Sequence, residues 1–473
     1  MTHPILRLAT AALLAGAALQ LQADEVTLTT ALPAGEHLSL AMNADVSATL
    51  TWGDGTTQTV ESTGQPIEVE VKSPQLTIAS ADAITCLYVQ GNQLTALNVR
   101  KAPALKVLLC ADNQLTQLDL SQNASLTTLD AQGNQLTQLS ATAAKGINSL
   151  NVAQNALTRI SLATAARPAV LVANDNQLTA LPSTSVMAQA QTIWAPSNKI
   201  GTLPIGFATG LRSVVMSANA LKEANFPFTP LLREVWLDGN QLTELDLSRQ
   251  SPKLQALVAN DNKLGLVKWD KTSKSTAKYV YLQRNALFPN SMPSLIYGGQ
   301  AIDANIGEQR PYQLDNRVVE IGGSVDLSSL VKTNGWGISV NPTVSIVDSE
   351  GQTLTPGTDY KLSNSNLTFT FPELRKGLHF EVTSRSYADH TWQSVTFNVG
   401  TTEAIGSVEA AQALQLTPAR GRLTVHAAQP VRLRVVSAAG ILMADEQLEA
   451  NASRTLALPT GVYVVNGQKV AVK

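Results

Sequence analysis

Between positions 84 and 290 one phrase recurs ten times: LYVQGNQLTAL, LLCADNQLTQLDL, LDAQGNQLTQL, LNVAQNALTRI, LVANDNQLTAL, IWAPSNKIGTL, VVMSANALKEA, VWLDGNQLTELDL, LVANDNKLGLV and VYLQRNALF. Its fixed points are Asn92, Asn113, Asn134, Asn155, Asn176, Asn198, Asn219, Asn240, Asn262 and Asn285, spaced by 21 to 23 residues. A period this short and regular admits a solenoid, in which each repeat makes one turn and leans on its neighbours. Counted from the asparagine, position −5 is always apolar (Leu87, Leu108, Leu129, Leu150, Leu171, Ile193, Val214, Val235, Leu257, Val280), as is position +2 (Leu94, Leu115, Leu136, Leu157 and onward). Position −3 shares the inward face by the two-residue period of a strand, and holds Val, Cys, Ala, Met or Leu. One turn cannot bury this edge alone, so stacked turns must cover it, at about 1.5–3 kcal/mol for each covered Leu or Val. The asparagine amide suits a separate task. It can satisfy backbone groups where the strand bends out of the sheet, so these ten form a structural ladder and are not ligand contacts.

The same alternation turns positions −6, −4 and −2 outward on the concave sheet. From turn six to turn ten the −4 column reads Trp194, Val215, Trp236, Val258 and Tyr281, and the −6 column adds Glu234 and Tyr279. An exposed stripe of Trp, Val, Trp, Val and Tyr is expected there, and aromatic anchors in a concave patch are typical of binding surfaces. Such rings suit a protein or a glycan equally. The competing structural reading is that the flanking sandwich folds over them, or that they merely reinforce the sheet.

Catalysis finds no support. Beyond the leader, the histidines are His37, His379, His390 and His426, and none falls in the repeats. No HExxH, GxSxG or phosphate-cradling glycine loop occurs, and no cofactor is expected. Cys86 stands at −6 of turn one and Cys110 at −3 of turn two, on opposite faces. Three residues along a strand is about 10 Å, with about 4.8 Å more between strands. That exceeds the roughly 7 Å limit on Cα separation in a disulfide, so two free thiols and no disulfide are expected. No second Cys or His lies at metal-ligand spacing, so no metal is expected. Nucleic acid is excluded as a partner, because 34 basic residues face 36 acidic ones and generate no attractive field. Charged residues make up only 15% against 44% hydrophobic, which also argues against long disorder.

The flanks complete a mainly β chain. Residues 1–23 read as a signal peptide, a basic start followed by the apolar LATAALLAGAALQL, too short to span a membrane. Residues 24–75 hold short strands and the turn Trp52-Gly53-Asp54-Gly55, and read as an N-terminal β cap, since a solenoid end exposes both core and sheet edge. Leu76 and Ile78 fall one period before Leu97 and Val99, so a half-turn of solenoid is taken to start there, with the repeats running from 76 to 290. Residues 291–400 alternate over short strands with turn residues between, as in an immunoglobulin-like β-sandwich. Residues 401–412 form a small-residue linker, and 413–473 a small C-terminal β-sandwich.

Two stretches carry family resemblances. The repeats resemble the leucine-rich repeat, LxxLxLxxNxLTxLxL, with the 21-residue period of the internalin J-like branch. That branch commonly places a cysteine ladder at −3, which only Cys110 matches. The convex side is then expected to be extended or 3₁₀. The end of the chain, with Leu458, Gly461, Val462, Tyr463, Val465, Gly467, Lys469, Val470, Val472 and Lys473 and the hairpin glycine Gly440, is similar to the C-terminal sorting domain of the type IX secretion system. This resemblance implies a Bacteroidetes-type bacterium, passage across the outer membrane by that machinery, and removal of the domain at the surface. It further implies joining to surface lipopolysaccharide. Together the resemblances imply an internalin-like cell-surface or secreted adhesion protein, with a role in attachment, biofilm formation or virulence. Its partner would be a protein or glycan on host or neighbouring bacterial cells. The alternative is a structural matrix or envelope component without a discrete ligand.

Overall fold

The computed structural model describes residues 23–250, 253–269, 277–291, 296–297, 300–301, 303–314, 317–328, 342–363, 367–384, 390–400, 414–428, 430–437, 442–465 and 468–472. Residues 1–22 of the expected leader, the linker 401–412, and Gly440, Gly467 and Lys473 of the expected sorting signal lie outside the described residues. The chain divides into two compact units: Met1–Asn262 with Thr272–Tyr281, and Lys263–Lys271 with Leu282–Lys473.

In the first unit each repeat contributes one three-residue strand. The ten are Cys86–Tyr88, Val107–Leu109, Thr128–Asp130, Ser149–Asn151, Val170–Val172, Thr192–Trp194, Ser213–Val215, Glu234–Trp236, Ala256–Val258 and Tyr279–Tyr281. All pair in parallel with the −5 residues in register, as Leu87 with Leu108 and Val235 with Leu257. The −5 and −3 side chains of all ten turns are buried, so the inward column is continuous. This is a leucine-rich-repeat solenoid.

The strands end after three residues because the chain must turn. At position −1 the backbone enters the left-handed region in each of the first nine repeats: Gly91, Asp112, Gly133, Gln154, Asp175, Ser197, Ala218, Gly239 and Asp261, with φ between 52° and 69°. The asparagine then secures the bend. Asn176 donates from Nδ2 to the carbonyls of Ala173 and Asn174 in its own turn (3.2 and 3.1 Å) and of Val152 in the preceding one (2.9 Å). Its Oδ1 accepts the Leu157 N–H at 2.9 Å. The same set recurs at Asn134, Asn155, Asn198, Asn219, Asn240 and Asn262, so each amide ties two turns together. The convex side is largely extended, with Gln138–Ala141 parallel to Arg159–Leu162, and includes a helical turn at Thr184–Met187.

Residues 24–80 close the first turn on both faces. His37–Met42 pairs antiparallel with the first concave strand and with Ile67–Glu70. Asp24–Thr30 pairs antiparallel with the first convex strand, Leu94–Lys101. Asn92, with no preceding asparagine turn, exchanges both bonds with Ser39: Oδ1 accepts its N–H at 2.8 Å and Nδ2 donates to its carbonyl at 2.6 Å. The strand carrying Leu76 and Ile78 is not a solenoid turn, contrary to the sequence reading. Gln75–Ser80 lies in the cap sheet, and Asp24–Thr30 is inserted between it and Leu94–Lys101, with Leu28 opposite both Leu76 and Leu97. The one-period offset survives, but a strand from elsewhere in the chain occupies the gap.

In the second unit the ladder continues past the last asparagine. The Asn285 Oδ1 accepts the Leu264 N–H at 2.9 Å, and Gln309 stands where the next asparagine would be. Its Oε1 accepts the Leu287 N–H at 2.9 Å and its Nε2 donates to the carbonyls of Leu282 and Ile306, both at 2.8 Å. Arg284 and Glu308 take the left-handed turn just before them (φ 54° each). Further on, a sheet built on Arg375–Ser384, flanked by Pro342–Val347 and Phe397–Val399, faces the sheet of Ser324–Asp326, Thr368–Thr370 and Lys361–Ser363. Phe369 and Phe380 meet between them with ring centroids 4.9 Å apart.

The last described residues form two more sheets. One is Leu414–Ala419, Arg422–Ala427 and Ser453–Ala457; the other is Leu442–Leu448, Val431–Ser437, Gly461–Val465 and Gln468–Val472. They enclose a core of Leu423, Val425, Leu433, Val435, Tyr463, Val465 and Val472. The Tyr463 hydroxyl donates to the Pro459 carbonyl at 2.9 Å.

Candidate binding surface on the concave sheet

The concave face is built by strict register, so the outward residues of successive turns lie side by side. Trp194 pairs with Val215, Val215 with Trp236, Trp236 with Val258 and Val258 with Tyr281. The large rings remain open to solvent: Trp194 is 45% exposed, Trp236 42% and Tyr279 47%, while Tyr281 is half-buried and Glu234 exposed. The two valines depart from the expected exposed stripe. Val215 is only 5% exposed and Val258 8%. Their neighbours supply the reason. Val172, with Asn151 on one side and Trp194 on the other, is half-buried, whereas Val215 lies between two tryptophans and is covered. The stripe therefore presents the exposed rings of Trp194 and Trp236 beside two covered valines.

Polar groups line the central ring. Glu234 opens the strand of Trp236, and Asp238 follows two residues beyond the strand's end. Ser213 donates to a Glu234 carboxylate oxygen at 2.9 Å, and Ser217 donates to Asp238, both from the preceding turn. These serines fix the carboxylates while leaving acceptor positions open.

The lower half of the face has a different character. Asp130 and Asn151 replace rings there, and Asn151 donates to the Gln132 side chain at 3.0 Å. Cys86 and Cys110 are free, Cys86 half-buried and Cys110 fully buried. Burial, and secondarily the nearby Asp130 charge, pushes the Cys110 thiol up to about 12. Burial also raises Tyr88, with Cys86 adding to it. An unanticipated feature is the stacked, exposed pair Phe207 and Phe228, with centroids 4.7 Å apart. Both stand twelve residues before an asparagine, in turns seven and eight, so repeat alignment of the convex positions would have paired them.

The histidines are scattered. His379 faces Glu381 at 3.6 Å, His390 packs edge-on against Trp392 at 4.5 Å, and His426 shares a 2.9 Å bond with Ser453. Burial lowers the His390 pKa. Among the described residues no three His, Cys, Asp or Glu side chains cluster as metal ligands would. Of the terminal motif, Tyr463 and Val470 are buried, Val462 is exposed, and Gly461 and Lys469 sit in the closing hairpin.

Among solved structures the chain is similar to the functional domain of InlJ from Listeria monocytogenes, which includes a cysteine ladder, at 21% identity and a TM-score of 0.42, covering 67% of this chain and 76% of that one. It is similar to YopM, a leucine-rich effector protein from Yersinia pestis, at 24% identity and a TM-score of 0.36, covering 44% and 58%. InlP of Listeria monocytogenes gives 15% identity and a TM-score of 0.36, covering 67% and 88%. No protein-family model matches the chain. No curated protein sequence matches it either.

Proposed function

We propose that this is a surface-displayed binding protein that engages a molecule on host or neighbouring bacterial cells through its concave stripe, and so contributes to attachment or biofilm formation. The observation that carries the reading is the exposure of Trp194, Trp236 and Tyr279 on alternate strands of one otherwise well-packed face. Aromatic side chains concentrated in one patch are where binding energy gathers, and a folded chain seldom leaves them in water without a use. The inward column already closes the core, so the outward rings are not needed to complete it.

Export by the leader, passage through the type IX machinery and attachment to surface lipopolysaccharide belong to the same proposal. The terminal 414–472 segment supports it by having its own core, which a removable module requires. Binding of the purified protein to host cells, matrix proteins and sibling bacteria tests the role. Saturable binding that the double variant Trp194→Ala/Trp236→Ala abolishes, with its unfolding curve unchanged, is expected. Binding indifferent to both substitutions would overturn it. Mass spectrometry of protein shed from the producing cell should find residues 24–400 without the terminal domain; an intact C-terminus on surface material would refute the sorting proposal.

A further inference from the structure

We infer that the occupant of the concave stripe is an extended β-1,4-linked hexose chain, an inference that rests on the binding role proposed above and names its ligand class. Rings and valines alternate in the −4 column, Trp194, Val215, Trp236, Val258 and Tyr281, each in register with the next. An aromatic ring therefore recurs every second strand, at about 9.6 Å for two strand spacings. The disaccharide repeat of an extended β-1,4-linked pyranose chain has this length, and every second sugar in it turns the same face to one side. A ligand running along the solenoid axis would meet a ring at sugars one, three and five.

The burial pattern fits the same ligand. An indole standing upright from the sheet would leave its valine neighbours in water, yet Val215 and Val258 are covered. Exposures of 45% at Trp194 and 42% at Trp236 beside valines at 5% and 8% fit rings inclined over the valines with an outer face left to solvent. A flat outward face stacks on the C–H face of a pyranose, whereas an anchor that fills a pocket on a protein partner must project. Regular spacing also matches a periodic ligand better than a protein surface, whose side chains have no fixed repeat.

Hydroxyl groups need acceptors beside the stacking faces, and the central ring has them. Glu234 precedes Trp236 on its strand and Asp238 follows just past the strand's end, each held by a serine of the preceding turn with acceptor capacity left over. The track is also bounded. Asn151, Asp130 and Leu109 occupy the same column below turn five, so stacking begins at turn six and ends with Tyr281. Three rings over four strand intervals span about 19 Å, which five sugars fill.

The test is calorimetric titration of the full protein with cello- and chito-oligosaccharides of two to six sugars, against maltohexaose (α-1,4) and laminarihexaose (β-1,3). Affinity should rise at the third and fifth sugar of a β-1,4 series and then level off. The two series distinguish plain from N-acetylated hexoses. Trp236→Ala should weaken pentasaccharide binding at least tenfold, and Trp236→Phe should retain most of it; matched unfolding curves exclude a folding defect. Equal binding of maltohexaose, affinity independent of length, or no binding of either β-1,4 series would overturn the inference. If the sugars fail while cell binding still requires Trp194 and Trp236, the glycan falls and the binding surface stands. If cell binding is also indifferent to those rings, both fall.

Discussion

Substitution at Asn240 isolates what one rung of the ladder contributes. Its Oδ1 accepts the Leu221 N–H of the preceding turn at 3.0 Å, and its Nδ2 donates to the carbonyls of Met216, Leu237 and Asp238 at 2.9, 3.0 and 3.3 Å. The three carbonyls have other donors: Asn219 reaches Met216, Asn262 reaches Leu237, and the Ala218 N–H reaches Asp238. Asn240→Ala therefore strands chiefly the Leu221 N–H, at about 1–3 kcal/mol, and weakens the rest, for a total of roughly 3 kcal/mol. Asn240→Asp has the same shape and keeps the acceptor for Leu221, but it turns lone pairs toward three carbonyls. An uncompensated buried charge costs about 3–5 kcal/mol, so the aspartate should be worse than alanine at neutral pH. Burial and those carbonyls would raise its pKa above the unfolded value near 3.9, so the folded state takes up the proton first and the deficit shrinks as pH falls. Urea unfolding at pH 7 and pH 5, with hydrogen exchange at Leu221 as the local probe, reads each term. An aspartate variant as stable as the alanine variant at pH 7, or a gap between them that does not narrow at pH 5, would refute the donor role assigned to Nδ2.

Two further outcomes concern other turns of the solenoid. Ala218 holds φ 52° where other repeats use Gly91, Gly133 and Gly239; relief of about 1–2 kcal/mol of left-handed strain against about 0.5–1 kcal/mol of added chain entropy should make Ala218→Gly more stable by up to about 1.5 kcal/mol. A lowered urea midpoint would contradict this. Cys110 keeps its proton up to about 12 when folded against 9.0 as the ordinary value, so its share of stability is complete below pH 9. As pH rises from there the unfolded thiol ionises first, and stability falls by up to about 1.4 kcal/mol per pH unit. Cys110→Ala, which places there the residue that turns three, five, six and nine already carry, should lose that slope; identical slopes from pH 9 to 11 would refute it.

Much of this molecule is written in local order. The 21-residue period, the inward Leu and the asparagine are each readable within one repeat, because every turn contacts only its neighbours and the neighbours are copies. The same alternation separated inward from outward positions and placed Cys86 and Cys110 on opposite faces, where both remain free. What the repeat could not reveal depends on residues far apart in sequence. Val215 and Val258 point outward yet are covered, because burial there is decided by the size of side chains one turn away on each side. Asp24–Thr30 enters between Gln75–Ser80 and Leu94–Lys101, which no periodicity announces, because an edge accepts any strand of matching pattern. Gln309 serves as a rung although the motif around it has decayed, since an amide one methylene longer still reaches the same N–H and carbonyls. The sequence determined the turn and its inward face; only the stacked structure decided what the outer face presents, because exposure belongs to neighbours in space.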